Sequence, residues 1–591
     1  MGNIINQRIA SLREVLADSG ITAIIIPSND PHFGEYVPSY YKCREYISGF
    51  NGSAGTAVVS TYGSALWTDS RYFLQAEDQL SESEVELIKM GYETTPTFAQ
   101  WLKKSLKAGE KVAVDAKLFS VSEFERLKLS LGEIELTTID DPFTKIWNDR
   151  PLPPSIPIFT LDITTTGEGV QDKIKRVKAT LDFKENEAYI VTATDEVAWL
   201  CNIRGGDVDF NPVAMAYAII ENDTTTLFID INKVDEQVSV SLSRRGINIE
   251  EYSDFENYID SISHKTFIVN GEKSNLSSFL KIKNSRFEKG ATVVSHLKSV
   301  KNETELEGFK RAMIEDGKAL VKFYIWLEEA LNGGGTTSEW EVNCKLKEFR
   351  GESQLFVGES FGSIVGYNEH GAVVHYGVTP KSSKTITKDG MLLIDSGGQY
   401  LCGTTDITRT IHLSTPTKEQ QKDFTLVLMG NINLASAIFP TGTRGSQLDI
   451  LARKSLNQHG INYMHGTGHG IGHFLNVHEG PQSIRKEENS VTIKEGMVMS
   501  NEPAMYRTGQ YGIRTENVIV VIKDKSTEFG DFLKFETITL FPIDLKCIDL
   551  GLLTPKKRNW LNSYHKMVYD TLSSHLTTKE QLWLAQKTKS I

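Results

Sequence analysis

Cysteine is scarce in this 591-residue chain: Cys43, Cys201, Cys344, Cys402 and Cys547 are scattered, odd in number and without metal-ligand spacing. No disulfide framework is expected, and such usage fits a reducing compartment. Also missing is any apolar run long enough to span a bilayer. Met1 to Asn6 has no basic stretch leading into an apolar core, and Asn6 stands where myristoylation needs Ser or Thr. The expectation is a cytoplasmic protein with no membrane attachment. Positive charge is in the minority, with 64 Lys plus Arg against 76 Asp plus Glu, a net charge of −12 and a pI near 5.7. No basic run is dense enough to track phosphates, so no nucleic-acid partner is expected. What remains, 40% hydrophobic and 24% charged over this length, can build several cores and more than one domain.

The pattern along the chain is α/β. Ile9, Leu12, Val15 and Leu16 form a helical stripe before the strand-like Thr22 to Pro27, and Val112 to Asp115 precedes a helix around Phe124 to Leu131. Arg150 to Pro157 holds four of the 17 prolines, a density that forces an extended path. A domain boundary belongs there, giving residues 1–150 and 151–302 as two α/β units. The second has a helix at Val170 to Leu181 and strands at Ala214 to Glu221, Thr225 to Asp230 and Thr266 to Asn270. It weakly echoes the first, since Tyr46–Gly52 and Trp67–Asp69 have counterparts at Trp199–Gly206 and Phe228–Asp230.

Residues 303–591 form the third unit. Thr304 to Glu307 and Ser338 to Glu341 read as capping boxes, and Gly333–Gly335 ends the helix between them. From about residue 526 an extension carries a helical stripe of Trp560, Tyr564, Met567, Val568 and Leu572, whose apolar face would pack on the body or on a second subunit.

Within this unit five candidate metal ligands follow in order: Asp395, Asp406, His469, Glu502 and Glu516. Asp395 ends the apolar run Met391–Ile394 ahead of Ser396-Gly397-Gly398, and Asp406 opens an alternating segment that reads as the returning strand of the same hairpin. His469 lies in His465–His473, where glycines let backbone and imidazoles approach a compact charged centre. Period two places Arg514 and Glu516 on one face of a strand. Four carboxylates cannot crowd together without cations, and four acidic oxygen donors with one imidazole suit hard divalent ions, with charge enough for two. Singly, an Asp after a strand is more often a turn residue; five candidates together argue otherwise. Eight of the 13 histidines fall between His370 and His478, a bias that a solvated surface does not explain. His370, His412 and His473 suit core or surface roles. Arg409 reads as a structural partner of the carboxylates, and Arg514 as a support for them or a substrate contact. The glycine-rich segments Gly49–Gly55 and Gly466–Gly470 lack the spacing of a dinucleotide site, and no helix carries His-Glu-x-x-His.

Asn368 to Tyr376, Asp395 to Gly398, His465 to His473 and His478 to Pro481 together resemble the M24 metallopeptidases of pita-bread fold. Ser53 to Ala57 and Trp67 to Tyr72 extend the likeness to the long, three-domain aminopeptidase P group, with two creatinase-like domains ahead of the catalytic one. The resemblance implies an Xaa-Pro aminopeptidase acting on peptides with proline at the second position, and a homodimer. It implies that Asp395 holds one metal, that Asp406 and Glu516 bridge, and that His469 and Glu502 complete the other. Manganese is the usual metal, although coordination chemistry leaves cobalt and zinc open, and a bridging hydroxide is the implied nucleophile, with Glu502 handling the proton. His375 and His478 would contact substrate at the scissile bond and stabilise developing charge. His465 would lie by the leaving-group pocket, with His469, Arg514 and Arg71 as further substrate contacts. Prolidases and methionine aminopeptidases share the five ligands and remain rivals, as do non-enzymatic pita-bread modules, which typically lose ligands that this chain keeps.

Overall fold

The computed structural model describes residues 2–591, which divide into two compact units: the N-terminus to Asp162 with Glu168–Val294, and Ile163–Gly167 with Ser295–Ile591. The first unit thus contains the segment expected at 1–150 and most of the one expected at 151–302, of which Ile163–Gly167 and residues 295–302 group with the second unit. Each builds a six-stranded sheet, and the two share one topology. In the first, Ala23–Pro27 pairs antiparallel with Thr56–Ser60 and parallel with Lys111–Val114. In the second, Glu187–Val191 pairs antiparallel with Ala216–Ile220 and parallel with Thr266–Val269, and the outer strands repeat the same order. The weak internal echo in the sequence therefore marks a repeated architecture.

Burial explains why these strands form. Ile24 and Ile26 enter one apolar cluster while Ala23 and Ile25 enter another on the opposite face, as expected for a strand covered on both sides. The helix Gly2–Asp18 buries Ile5, Ile9, Leu12 and Leu16 in a single stripe. Proline-rich residues 150–157 adopt neither helix nor strand, and Leu152 is 87% exposed. The junction between the segments is nonetheless well bonded: Asn275 Nδ2 donates to the Pro31 carbonyl at 3.1 Å, and the His32 ring nitrogens meet the Thr192 carbonyl at 2.6 Å and the Tyr252 hydroxyl at 2.9 Å.

The longest helix of the second unit is Glu303–Ala330, 28 residues. Its capping box is formed by Asn302 and Glu305, two residues earlier than the sequence pattern suggests, because the Asn302 side chain accepts from Glu305 N while Glu305 accepts from Asn302 N. At the next helix, Glu339–Arg350, Ser338 caps Glu341 N, but the Glu341 carboxylate takes the Thr337 hydroxyl instead, so only half a box forms.

Two sheets carry the chemistry of this unit. A three-stranded sheet orders Ile364–Tyr367, Met391–Ser396 and Ile407–His412. A six-stranded antiparallel sheet orders Ile438–Pro440, Gly530–Thr537, Asn517–Thr527, Val498–Asn501, Gly468–Gly470 and Glu479–Ile484. Residue 526, the expected start of the extension, lies inside a hairpin of this sheet, and the chain leaves the sheet only after Thr537. The helix Pro555–Leu572 then buries Leu561, Val568 and Leu572 in the main core of the same unit. Its apolar face is satisfied within the chain and so gives no argument for a second subunit.

Arg350 ties helices to strands. Fully buried, it donates to Asp316 at 2.7 Å, to Ser396 Oγ at 3.1 Å and to the Gly397 carbonyl at 3.3 Å, directly beyond Asp395. Removing one member of a buried ion pair strands the other's charge. Asp316→Ala is therefore expected to destabilise this unit by about 3–5 kcal/mol, measured as a shift in denaturant unfolding.

Candidate metal centre

Four of the five candidate ligands stand at or beside the ends of different strands, and the fifth, His469, in the middle of a three-residue strand. Asp395 is the penultimate residue of Met391–Ser396 and faces Thr408 across the ladder. Asp406 immediately precedes Ile407–His412. The two strands do pair, as expected, but the connection is no tight turn: it carries its own ribbon, Gly398–Tyr400 with Gly403–Thr404. Gly397 allows that path, since a Cβ there would lie 2.0 Å from the Thr405 carbonyl and 2.1 Å from Ser360 Oγ.

His469 sits in Gly468–Gly470, and a side chain at Gly468 would meet the Ser500 carbonyl at 2.1 Å. Close approach, rather than a left-handed backbone, demands glycine here. Glu502 follows Val498–Asn501, and its N–H donates to the Thr467 carbonyl at 2.8 Å. Arg514 and Glu516 do not share one strand. The hairpin strand Tyr511–Arg514 ends, and Asn517–Thr527 begins after a two-residue break. In that break Glu516 N turns to the Thr408 carbonyl at 3.1 Å, which joins the six-stranded sheet to the three-stranded one.

Side chains then converge. One donor atom each from Asp406, His469 and Glu516 lie within 4.8 Å of one another. His469 Nε2 is 3.5 Å from Asp406 Oδ2 and 3.5 Å from Glu502 Oε1. These separations are long for hydrogen bonds, but donors bound to a common ion at about 2.1 Å sit roughly 3.0–3.4 Å apart. Asp395 Oδ2 accepts from Arg514 at 2.6 Å, while its Oδ1 is buried and accepts no hydrogen bond. An orphaned buried carboxylate oxygen beside three convergent donors fits a hard cation, and so does the oxygen-rich donor set.

Electrostatics point the same way. Burial raises the carboxyl pKa of Asp395, Glu502 and Glu516, and the neighbouring carboxylates raise each further; Glu516 is pushed well above its ordinary range. Burial alone would lower His469, but its contact with Asp406 and the charges of Glu502 and Asp406 outweigh it and hold the imidazole at about 9. Arg514, also buried, stays cationic beside Tyr506, Asp395 and Glu502.

The other expected residues are less uniformly placed. His478 packs edge-on against His469 with ring centroids 4.4 Å apart. The two ring nitrogens of His465 lie 2.7 Å from the Gly466 carbonyl and 2.9 Å from the Tyr506 hydroxyl. His375 is half-buried in the turn after the helical turn Asn368–Ala372. Arg71 belongs to the first unit, where Asp69 holds its guanidinium through bonds of 2.8 and 2.7 Å. His370 pairs with Glu339 and His473 packs against Phe309. Arg409 meets no carboxylate, contrary to the reading of it as a carboxylate partner; every acceptor it has is a carbonyl, amide or hydroxyl oxygen.

Three supporting residues escaped the sequence reading. Thr408 Oγ1 donates to Glu516 at 2.8 Å, and Ser500 Oγ lies 3.3 Å from Glu502 Oε1 while accepting from His469 N at 3.0 Å. Both stand two residues from a candidate ligand, so strand periodicity could have found them. Tyr506, which bridges Arg514 and His465, enters through hairpin pairing with Gly512 and has no such signal.

Comparison with known proteins accords with this geometry. Residues 307–523 match metallopeptidase family M24, residues 8–146 and 149–305 each match the creatinase/prolidase N-terminal domain, and residues 531–591 match the C-terminal region of peptidase M24. A probable Xaa-Pro aminopeptidase P of Laccaria bicolor is 40% identical across 98% of this chain and 93% of its own length, and aminopeptidase P2 of Arabidopsis thaliana is 38% identical across 98% and 88%. The crystal structure of an X-prolyl aminopeptidase from Caenorhabditis elegans, described as a cytosolic enzyme with a di-nuclear active site, superposes with a TM-score of 0.94 at 33% identity, covering 99% of this chain and all of that one. An Xaa-Pro dipeptidase from Bacillus anthracis, 22% identical over 64% of this chain and 99% of its own with a TM-score of 0.51, shares the fold. The chain belongs to metallopeptidase family M24, with two creatinase/prolidase N-terminal domains, and is a metallo-aminopeptidase.

Proposed function

We propose that this enzyme removes the N-terminal residue from peptides with proline at the second position, using a hydroxide shared by two divalent ions. The observation that carries this reading is the convergence of Asp406, His469 and Glu516, beside the unpartnered Asp395 Oδ1, in a chain similar along its whole length to an X-prolyl aminopeptidase. Asp395 would hold one ion, Asp406 and Glu516 both, and His469 with Glu502 the other. Bound there, two cations of manganese type would neutralise the four carboxylates, acidify a shared water and polarise the scissile carbonyl.

The remaining tasks fall to the chain's own groups. Arg514 fixes Asp395 through Oδ2, leaving Oδ1 for ligation. Ser500 and Thr408 orient Glu502 and Glu516. Glu502, held by Ser500 beside His469, would take a proton from water and pass it to the leaving amine. His478, packed against His469, and His375 would stabilise charge on the substrate carbonyl. His465, steadied by Tyr506, would border the proline subsite, with Arg514 behind it and Arg71 as a further substrate contact. A prolyl bond offers no amide hydrogen for alignment, so such a site must select a ring by shape. The reading includes a cytosolic homodimer; monomers at micromolar concentration in analytical ultracentrifugation would reject the dimer.

With manganese supplied, an Xaa-Pro-Xaa tripeptide should be cleaved in preference to an Xaa-Pro dipeptide; exclusive cleavage of the dipeptide would mark a prolidase. Asp406→Ala should abolish turnover while leaving the circular dichroism spectrum unchanged, and retained activity would refute the assigned centre. Ion binding must displace protons, because His469 titrates at about 9 and three carboxyls are raised in the metal-free chain. Lowering the pH from 8 to 6 should therefore weaken manganese affinity by about tenfold per unit for each proton displaced. Calorimetry in buffers of different ionisation enthalpy reads that release directly, and binding without it would contradict the ligand set.

A further inference from the structure

Glu502 and Glu516 stand on backbone that leaves the six-stranded sheet at one rung. Asn501 and Asn517 face each other there, and both are fully buried. Asn431, in the C-terminal third of the helix Lys418–Ala435, brackets that rung. Its Nδ2 donates to the carbonyls of Asn501 at 2.8 Å and Thr515 at 3.1 Å, and its own carbonyl accepts from Asn501 Nδ2 at 2.9 Å. The two glutamates are thus tied by their neighbours to one buried amide.

Arg409 secures the other side. Its Nη1 donates to the Glu516 carbonyl at 2.6 Å and the Thr408 carbonyl at 3.0 Å. Nη2 meets Asn517 Oδ1 at 2.8 Å, the Phe541 carbonyl at 2.8 Å and the Tyr564 hydroxyl at 2.9 Å, and Nε meets the Pro542 carbonyl at 3.1 Å. Five N–H donors against six oxygens leave no slack, so the guanidinium cannot turn without abandoning a buried bond. Three of the acceptors belong to the region after the sheet. Tyr564, on the helix Pro555–Leu572 and 4% exposed, is itself 2.8 Å from the Phe541 carbonyl. Leu561, Val568 and Leu572 already anchor that helix by burial; the tyrosine hydroxyl adds a directional contact that aims at Arg409.

We infer that the C-terminal region is a working part of the metal centre: Tyr564, acting through Arg409, is a positioning residue that fixes the Glu516 carbonyl and so the direction from which Glu516 meets Asp406 and His469. The inference rests on the ligand assignment proposed above. A positioning role predicts a loss of ion affinity, whereas simple helix anchoring predicts only a loss of stability.

The test titrates metal-free full-length protein with manganese. Tyr564→Phe should weaken binding by about tenfold, the lower end of what losing an outer support costs a metal site. At saturating manganese its KM should be unchanged and its kcat largely restored. Trp560→Phe alters the ring stacked on Tyr564, 5.4 Å between centroids, without touching Arg409, and should bind manganese within about twofold of the parent. Arg409→Lys, which keeps the charge but cannot span the six acceptors, should weaken binding at least as much as Tyr564→Phe, and serves in its place should that variant not fold. Glu516→Gln separates the two levels of the argument. If it retains both ions, the ligand assignment has failed. If it loses an ion while Tyr564→Phe and Arg409→Lys bind like the parent, or if Trp560→Phe weakens binding equally, the positioning role is overturned.

Discussion

Four carboxylates brought close together, three of them buried, set the terms for the rest of the catalytic unit. Burial penalises each charge and proximity multiplies the penalty, so Asp395, Glu502 and Glu516 are all driven toward their protonated forms while His469 is driven toward its charged one. Arg514 offsets part of this from behind Asp395. Such an arrangement is costly as bare protein and favourable around cations, and an unpartnered Asp395 oxygen shows where compensation is lacking.

Holding repelling groups in place requires that none be free to swing away, and the fold meets this with strand ends. Asp395, Asp406, Glu502 and Glu516 stand in or next to the terminal residues of strands and His469 lies within the three-residue strand Gly468–Gly470, so the ladders fix the backbone beside every candidate ligand. The bond from Glu516 N to the Thr408 carbonyl joins the two sheets at the point where their carboxylates meet. Behind that junction, Asp316 and Arg350 clamp the turn after Asp395, and Asn431 and Arg409 clamp the rung that carries Glu502 and Glu516. The helix Pro555–Leu572 enters this same scaffold through Tyr564, so it belongs to the catalytic unit structurally as well as in sequence.

The first unit shows how fold can outlast sequence similarity. Two six-stranded sheets repeat the same order and strand senses, although only short glycine and aromatic motifs echo between them. Apolar alternation on a sheet covered on both sides can be met by many combinations of Ile, Val, Ala and Phe, so topology persists while identity fades. That freedom is absent around the metal centre, where Gly397 and Gly468 face backbone or hydroxyl oxygens at about 2 Å from a hypothetical Cβ.

Local order was written in the residues themselves. Hydrophobic period placed the helix Val170–Leu181 and the strands Ala216–Ile220, Thr225–Ile229 and Thr266–Val269, though not the central strand Glu187–Val191; proline density marked the irregular path at 150–157, and the order of acidic residues and histidines pointed to the candidate centre. These features depend on near neighbours along the chain. What the sequence could not express depends on partners far apart in number: the break between Arg514 and Glu516, where Glu516 N turns to the Thr408 carbonyl, the use of Tyr506 against His465, and the turning of Arg409 toward Tyr564, 155 positions away. Each follows from hydrogen-bonding groups that had to find acceptors once buried. Only tertiary packing decides which acceptors are within reach.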